Sequence, residues 1–99
     1  DVWDLNNLAW ALVTCPYDQL RDGALALQYA EKAVTLSHRR EPNMLDTLAA
    51  AYAETGDFEK AVTTQKEAIA LLKEEVQRNS YRERLKLYQS KKPCRSPME

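Results

Sequence analysis

The 99-residue chain has little of what breaks or bends a backbone: two glycines and four prolines. With few β-branched runs as well, that scarcity argues for helices rather than strands joined by tight turns. Cysteine is limited to Cys15 and Cys94, and histidine to His38. The two cysteines form no C-x-x-C pair and no metal spacing, and in a reducing compartment both are free thiols. His38 has no cluster of Cys or carboxylates at ligand spacing, so it reads as a solvated turn residue and no metal is expected. There is no G-x-S-x-G, no phosphate-binding glycine loop and no H-E-x-x-H. A Cys15–His38 nucleophile pair would need hydrogen-bond contact and an orienting third group, neither of which the sequence indicates. The expectation is a protein without catalysis and without a cofactor. No apolar run approaches the roughly 20 residues that a membrane-crossing helix needs. No targeting segment is visible, which leaves the cytoplasm as the default compartment.

What the chain does have is helical periodicity. The hydrophobic fraction of 44% is ordinary for a globular chain, and the length suits one domain. The clearest stretch runs from Pro42 to Leu72. Leu45, Leu48, Ala49 and Tyr52 fall at spacings of three, four and seven, on one face of a helix. Pro42 stands where that helix begins and its missing N–H costs little. Gly56 can turn left-handed after the helix end, and Asp57 can cap the next helix with its carboxylate. Phe58, Ala61, Val62, Ala68, Ile69 and Leu72 make the apolar face of that second helix. So short a connection leaves only antiparallel neighbours. Ala49, Ala61 and Ala68 let the two backbones approach closely.

These residues resemble the tetratricopeptide repeat family, a helix–turn–helix unit of about 34 residues with aromatic, small and glycine positions at fixed offsets. Leu45, Leu48, Ala49, Tyr52, Gly56, Ala61 and Ala68 match in register, and Phe58 fits the hydrophobic place after the turn. Leu45 departs where Trp is common, and Gln65 where an aromatic is common. A second copy lies upstream. Leu5, Leu8, Ala9 and Leu12 precede Leu45, Leu48, Ala49 and Tyr52 by 40 residues. Ala26, Leu27, Ala33, Val34 and Leu36 precede Ala61, Val62, Ala68, Ile69 and Leu71 by 35. The difference places a five-residue insertion in the first hairpin's turn, Cys15 to Asp22, where Pro16 stops one helix and Asp22 can cap the next.

Beyond Leu72 the helical pattern continues to Gln77. Ser80 and Glu83 form an S-x-x-E capping-box signature, predicting a fifth helix from about residue 80 to 90. The alternative is one continuous helix from Asp57 to Ser90. Tyr81, Leu85 and Tyr88 share a face of this helix, which reads as a cap over the last repeat. The expected architecture is therefore all-α: antiparallel helical hairpins stacked as a short tetratricopeptide solenoid over residues 1–90. Repeat one covers about 2–37, repeat two about 42–75, with the capping helix about 80–90 and a tail over 91–99. The tail suggests that the chain closes its parent protein, and Asp1 in place of Met suggests that more precedes it. Two repeats are few for a stable core, so upstream repeats or self-association are expected to contribute. The resemblance also implies a parent among large bacterial multi-repeat proteins.

The resemblance implies a function in protein–protein interaction, with the first helix of each repeat lining a concave groove. By register that face carries Trp3, Asn6, Asn7, Trp10, Val13 and Thr14 in the first repeat. In the second it carries Asn43, Asp46, Thr47, Ala50, Ala53 and Glu54. Asn6, Asn7, Trp10, Asp46, Thr47 and Ala50 are the candidate partner-binding residues. Trp10 stands opposite the Leu5/Leu8/Leu12 stripe, either as a ligand anchor or packed on a neighbouring helix. Asn6, Asn7 and Asp46 have the groups to hydrogen-bond an extended peptide, or they serve as a cap or a solvated face. Chaperone-tail carboxylate binding is disfavoured, since no cation stands on this face. A neutral, apolar or basic peptide fits better. A second site class comes from charge. Residues 1–77 carry 7 Lys or Arg against 13 Asp or Glu, while 78–95 carry 7 against 1. Arg78, Arg82, Arg84, Lys86, Lys91 and Lys92 make a basic end suited to nucleic acid or an acidic partner, or simply to packing on an acidic body.

Overall fold

The computed structural model describes residues 2–14 and 22–93. Five helices follow in order: α1 Val2–Thr14, α2 Gly23–Leu36, α3 Pro42–Glu54, α4 Phe58–Leu71 and α5 Glu75–Gln89. They pack sequentially in antiparallel pairs, and α1 also lies against α3. Residues 15–21, which hold the five-residue insertion and Cys15, fall outside the described residues, as does the tail from Cys94 onward.

Local chemistry sets most of the helix ends. Asp22 Oδ1 accepts from the Leu25 amide at 3.0 Å, and Asp57 Oδ1 from the Lys60 amide at 3.2 Å. Both expected caps thus satisfy an amide that the first turn leaves without a partner. Pro42 opens α3, whose preceding residue Glu41 makes no side-chain cap. After α3, Gly56 adopts φ +90°. The Asp57 amide donates to Tyr52 O at 2.9 Å and the Gly56 amide to Ala53 O at 3.1 Å, a Schellman closure. The same pair of bonds ends α2 around His38 and α5 around Lys91, although these residues hold φ of 57° and 59° without being glycine. Side chains in that region carry a conformational cost.

The core is built of small residues. Ala9, Ala26, Ala30, Ala33, Ala49, Ala50, Ala51, Ala53, Ala61 and Ala68 are buried, with Leu45, Leu48, Val13, Val34 and Met44 filling between them. Alanine at so many contacts brings the helix axes close and costs little side-chain entropy. Close approach also governs Gly23, where a β-carbon would sit 3.0 Å from Glu54 Cγ at the end of α3.

Two expectations are corrected. The fifth helix does not start at the Ser80–Glu83 signature. It begins at Glu75, and Ser80 lies exposed within it. Nor is it continuous with α4, because Leu72 takes an extended conformation at ψ 139°. Burial of the Leu72 side chain in the core holds that break, and the Arg78 Nε donates to the Leu72 carbonyl at 2.9 Å. Leu8 was expected on the core stripe with its counterpart Leu48, but Leu8 is 46% exposed and Leu48 is buried. The reason is the set of neighbouring helices. Helix α3 has helices on both flanks, whereas no described helix packs on the outer flank of α1. Leu36 and Leu71, aligned 35 residues apart, are both exposed.

Candidate functional site

Helices α1 and α3 lie side by side, and a groove of about 260 Å³ runs between them. Its walls are Trp3, Asn6, Asn7 and Trp10 from α1 and Asn43, Asp46 and Thr47 from α3. Trp3, Asn6 and Asn7 stand 40 residues before Asn43, Asp46 and Thr47. The groove is therefore lined by equivalent positions of the two hairpins. Of the candidate binding residues, Asn6, Asn7, Trp10, Asp46 and Thr47 converge here. Ala50 does not line it, being fully buried where α3 meets its neighbours. Val13, Thr14 and Ala53, expected on the same face, are also buried, while Asn43 and Trp3 join the groove.

The polar groups of the groove differ in how they are satisfied. Thr47 Oγ1 donates to the Asn43 carbonyl at 3.0 Å, one turn back. Asn43 Oδ1 accepts from the Tyr81 hydroxyl at 2.6 Å. Asp46 Oδ1 accepts from Gln65 Nε2 at 2.9 Å and from Arg84 Nε at 2.8 Å, whereas Oδ2 accepts nothing among the described residues. Asn6 is only 7% exposed, and its Oδ1 is buried without a hydrogen-bond partner. Buried carbonyl oxygens are rarely left this way, because losing water costs about 1–3 kcal/mol when nothing replaces it.

Helix α5 reaches two of the wall residues, Trp10 and Asp46, through Arg84. The Arg84 guanidinium lies 4.8 Å from the centre of the Tyr81 ring and 5.7 Å from that of Trp10, while its Nε holds Asp46. Trp10 is half-buried and packs against the core, so it serves as packing and as groove wall together. Gln65 is fully buried on α4, and its Nε2 also donates to the Tyr81 carbonyl at 3.0 Å. Burial raises the Asp46 carboxyl above its ordinary 3.8, against the opposing pull of Arg84 and of the Gln65 hydrogen bond. Burial, with the Asp46 charge added, pushes the Tyr81 phenol up to about 12. Sequence reasoning noted Gln65 only as a departure from an aromatic. The signal for its role was there: an amide in line with Ala61 and Ala68 on an apolar stripe must find a polar partner once buried.

The basic end is partly neutralised within the chain. Arg82 pairs with Glu75 at 2.6 Å, Arg78 reaches Glu75 and the Leu72 carbonyl, and Arg84 is held by Asp46. The hydrogen bond from Arg82, then its charge, keeps the Glu75 carboxyl below its ordinary range. Lys86, Lys91 and Lys92 remain at the surface. Among the described residues no group of three or more His, Cys, Asp or Glu is placed to hold a metal ion, and no helix is long and apolar enough to cross a membrane. His38 lies exposed in the turn that closes α2, and Cys15, the other half of the conceivable nucleophile pair, lies outside the described residues.

No family model matches the chain, and no curated protein sequence and no solved structure matches it.

Proposed function

We propose that the chain is a tetratricopeptide-like binding module, without catalysis, that holds an extended segment of a partner protein in the groove between α1 and α3. The observation that carries this is the lining itself: residues 40 apart in the sequence face each other across one groove, and Asn6 presents a buried acceptor there with no partner. Repeat-built scaffolds bind this way, because stacked equivalent helices make a continuous surface that each repeat extends. The Schellman turn at Gly56, the alanine contacts and the cap-like placement of α5 agree with such a stack. So does Leu8, exposed on the open flank where its counterpart Leu48 is covered. Recognition would rest on shape and hydrogen bonds offered by a rigid wall.

The alternative of nucleic-acid or acidic-partner binding through α5 is the weaker reading, since Arg78, Arg82 and Arg84 already have carboxylate or carbonyl partners in the chain. A peptide-library selection on the wild type beside an Asn6→Ala/Trp10→Ala double variant separates the two. The groove reading expects the wild type to enrich a motif that the folded double variant loses. Enrichment by both proteins alike, or salt-sensitive capture of a duplex oligonucleotide instead of peptide, would count against it.

A further inference from the structure

The joint between α4 and α5 carries no signal that stops a helix. Elsewhere the joints are marked. Asp22 caps α2, Pro42 opens α3 after the left-handed turn at His38, and Gly56 with Asp57 separates α3 from α4. From Leu71 to Glu75 the chain reads Leu-Leu-Lys-Glu-Glu, all good helix formers. No residue there is left-handed, and Glu74 offers α5 no side-chain cap. The last carbonyls of α4 and the first amides of α5 therefore lack the intrahelical partners that a continuous helix would supply. Continuity would also set Glu74 one turn before Arg78, a favourable order of charges.

What holds the bend is tertiary. Leu72 is buried in the core, and its carbonyl accepts from Arg78 Nε at 2.9 Å. Few residues seat α5 itself. Tyr88 packs with Ala49 and Ala53 of α3 and Ala61 of α4, the Tyr81 hydroxyl donates to Asn43, and Arg84 donates to Asp46. The α5 of another molecule offers the same groups. With residues 72–74 helical, α4 and α5 become one helix from Phe58 to Gln89, about 48 Å long. A straight helix cannot lay α5 back on α4. Its seat on α3 and α4 is then open, and what fits that seat is the α5 of a second copy.

We propose that two copies of the chain exchange α5, with residues 72–74 straightening into helix as the hinge, and so form a closed two-fold dimer. Each α5 makes on the other copy the Tyr81, Tyr88 and Arg84 contacts that it makes within one chain. The exchange gives up the burial of Leu72, the Arg78–Leu72 bond and the freedom of two separate molecules, and it gains the backbone hydrogen bonds of the hinge. Dilution therefore favours the bent single chain. The exchange is reciprocal, so neither seat is left for a third copy. This inference is independent of what the groove between α1 and α3 holds.

The test refolds the whole 99-residue chain from urea at micromolar and at millimolar concentration and measures its mass by size-exclusion chromatography with light scattering. A reducing agent excludes disulfides through Cys15 or Cys94. The wild type should be monomeric at the lower concentration and partly dimeric at the higher. Leu72→Ala removes the buried anchor of the bend and should raise the dimer association constant about tenfold. Glu75→Pro should abolish the dimer. Proline suits the first position of α5, where Glu74 is already extended, but it cannot stand inside a joined helix. In a dimer refolded from isotope-labelled and unlabelled chains, nuclear Overhauser contacts between Tyr81 and Asn43 should connect labelled to unlabelled copies. Should either variant fail to fold by circular dichroism, the wild-type dimer and its label pattern decide. Monomer alone from the wild type after millimolar refolding would overturn the proposal. So would a dimer that folded Glu75→Pro retains, or Tyr81–Asn43 contacts confined within single copies.

Discussion

Arg84 is the residue whose loss tests the most of this structure at once. It joins α5 to Asp46 on α3 and lies against both Trp10 and Tyr81. Truncation to alanine leaves Asp46 buried with Gln65 as its remaining donor. Breaking one side of a buried ion pair costs about 3–5 kcal/mol. Here the side chain of Arg84 keeps 23% exposure against 9% for Asp46, so the electrostatic part is scaled down to about 2 kcal/mol at pH 7. Lost contact with the two rings adds about 1 kcal/mol that does not depend on pH. The sign of the pH dependence follows from Asp46. Its folded value is raised, so between the ordinary value and the folded one the folded protein holds more of a proton there than the unfolded chain does. That contribution is fully present below the ordinary value near 3.8 and is lost as pH rises through the folded value. Arg84→Ala removes the main opposing charge, raises the folded value further and deepens the loss at neutral pH. Urea unfolding followed by circular dichroism should therefore show Arg84→Ala costing about 3 kcal/mol at pH 7 but only about 1–1.5 kcal/mol near pH 4. In an Asp46→Asn background that difference should vanish. Equal losses at both pH values, within about 0.5 kcal/mol, would refute the claim that Arg84 acts by neutralising a buried carboxylate.

Other outcomes follow from single positions. His38→Gly should raise stability by about 1 kcal/mol, measured as an increased urea midpoint, because it removes a side chain from a left-handed backbone. Gly56→Ala should lower it by a similar amount, since φ there is +90°. Asp57→Ala should cost about 1 kcal/mol by removing the cap of α4, and retention of the wild-type melting temperature would count against that bond. Asn6→Leu should stabilise the fold by about 1 kcal/mol, since it removes an unsatisfied buried oxygen, while abolishing the proposed peptide binding by changing the groove wall. A variant that is both less stable and still binding would contradict the role given to Asn6.

Much of the architecture was legible because it rests on local rules. Asp22, Pro42, Gly56 and Asp57 mark helix ends by chemistry that acts within four residues, and the alanine stripes mark which faces approach. The register that the resemblance implies puts Asn6 and Asp46, 40 residues apart, at equivalent positions, and both line the groove. What was not legible depends on tertiary burial. The α4–α5 break has neither glycine nor proline and is held by Leu72 packing into the core. The Ser80–Glu83 signature is a local pattern that the longer helix overrides. Leu8 and Leu48 are equivalent in sequence, and only the number of neighbours on each flank separates their exposure. The Asp46–Gln65–Arg84 network joins three helices, so no single stretch of sequence displays it.

The measurement that bears most directly on the groove is an amide and indole NMR map of the chain titrated with a peptide selected from the library. The Trp3 and Trp10 indole N–H signals and the Asn6, Asn7 and Asn43 side-chain amides should move together, with α3 amides from Asn43 to Thr47. Shifts confined to the outer face of α5 around Lys86, Lys91 and Lys92, with both indoles unmoved, would contradict it.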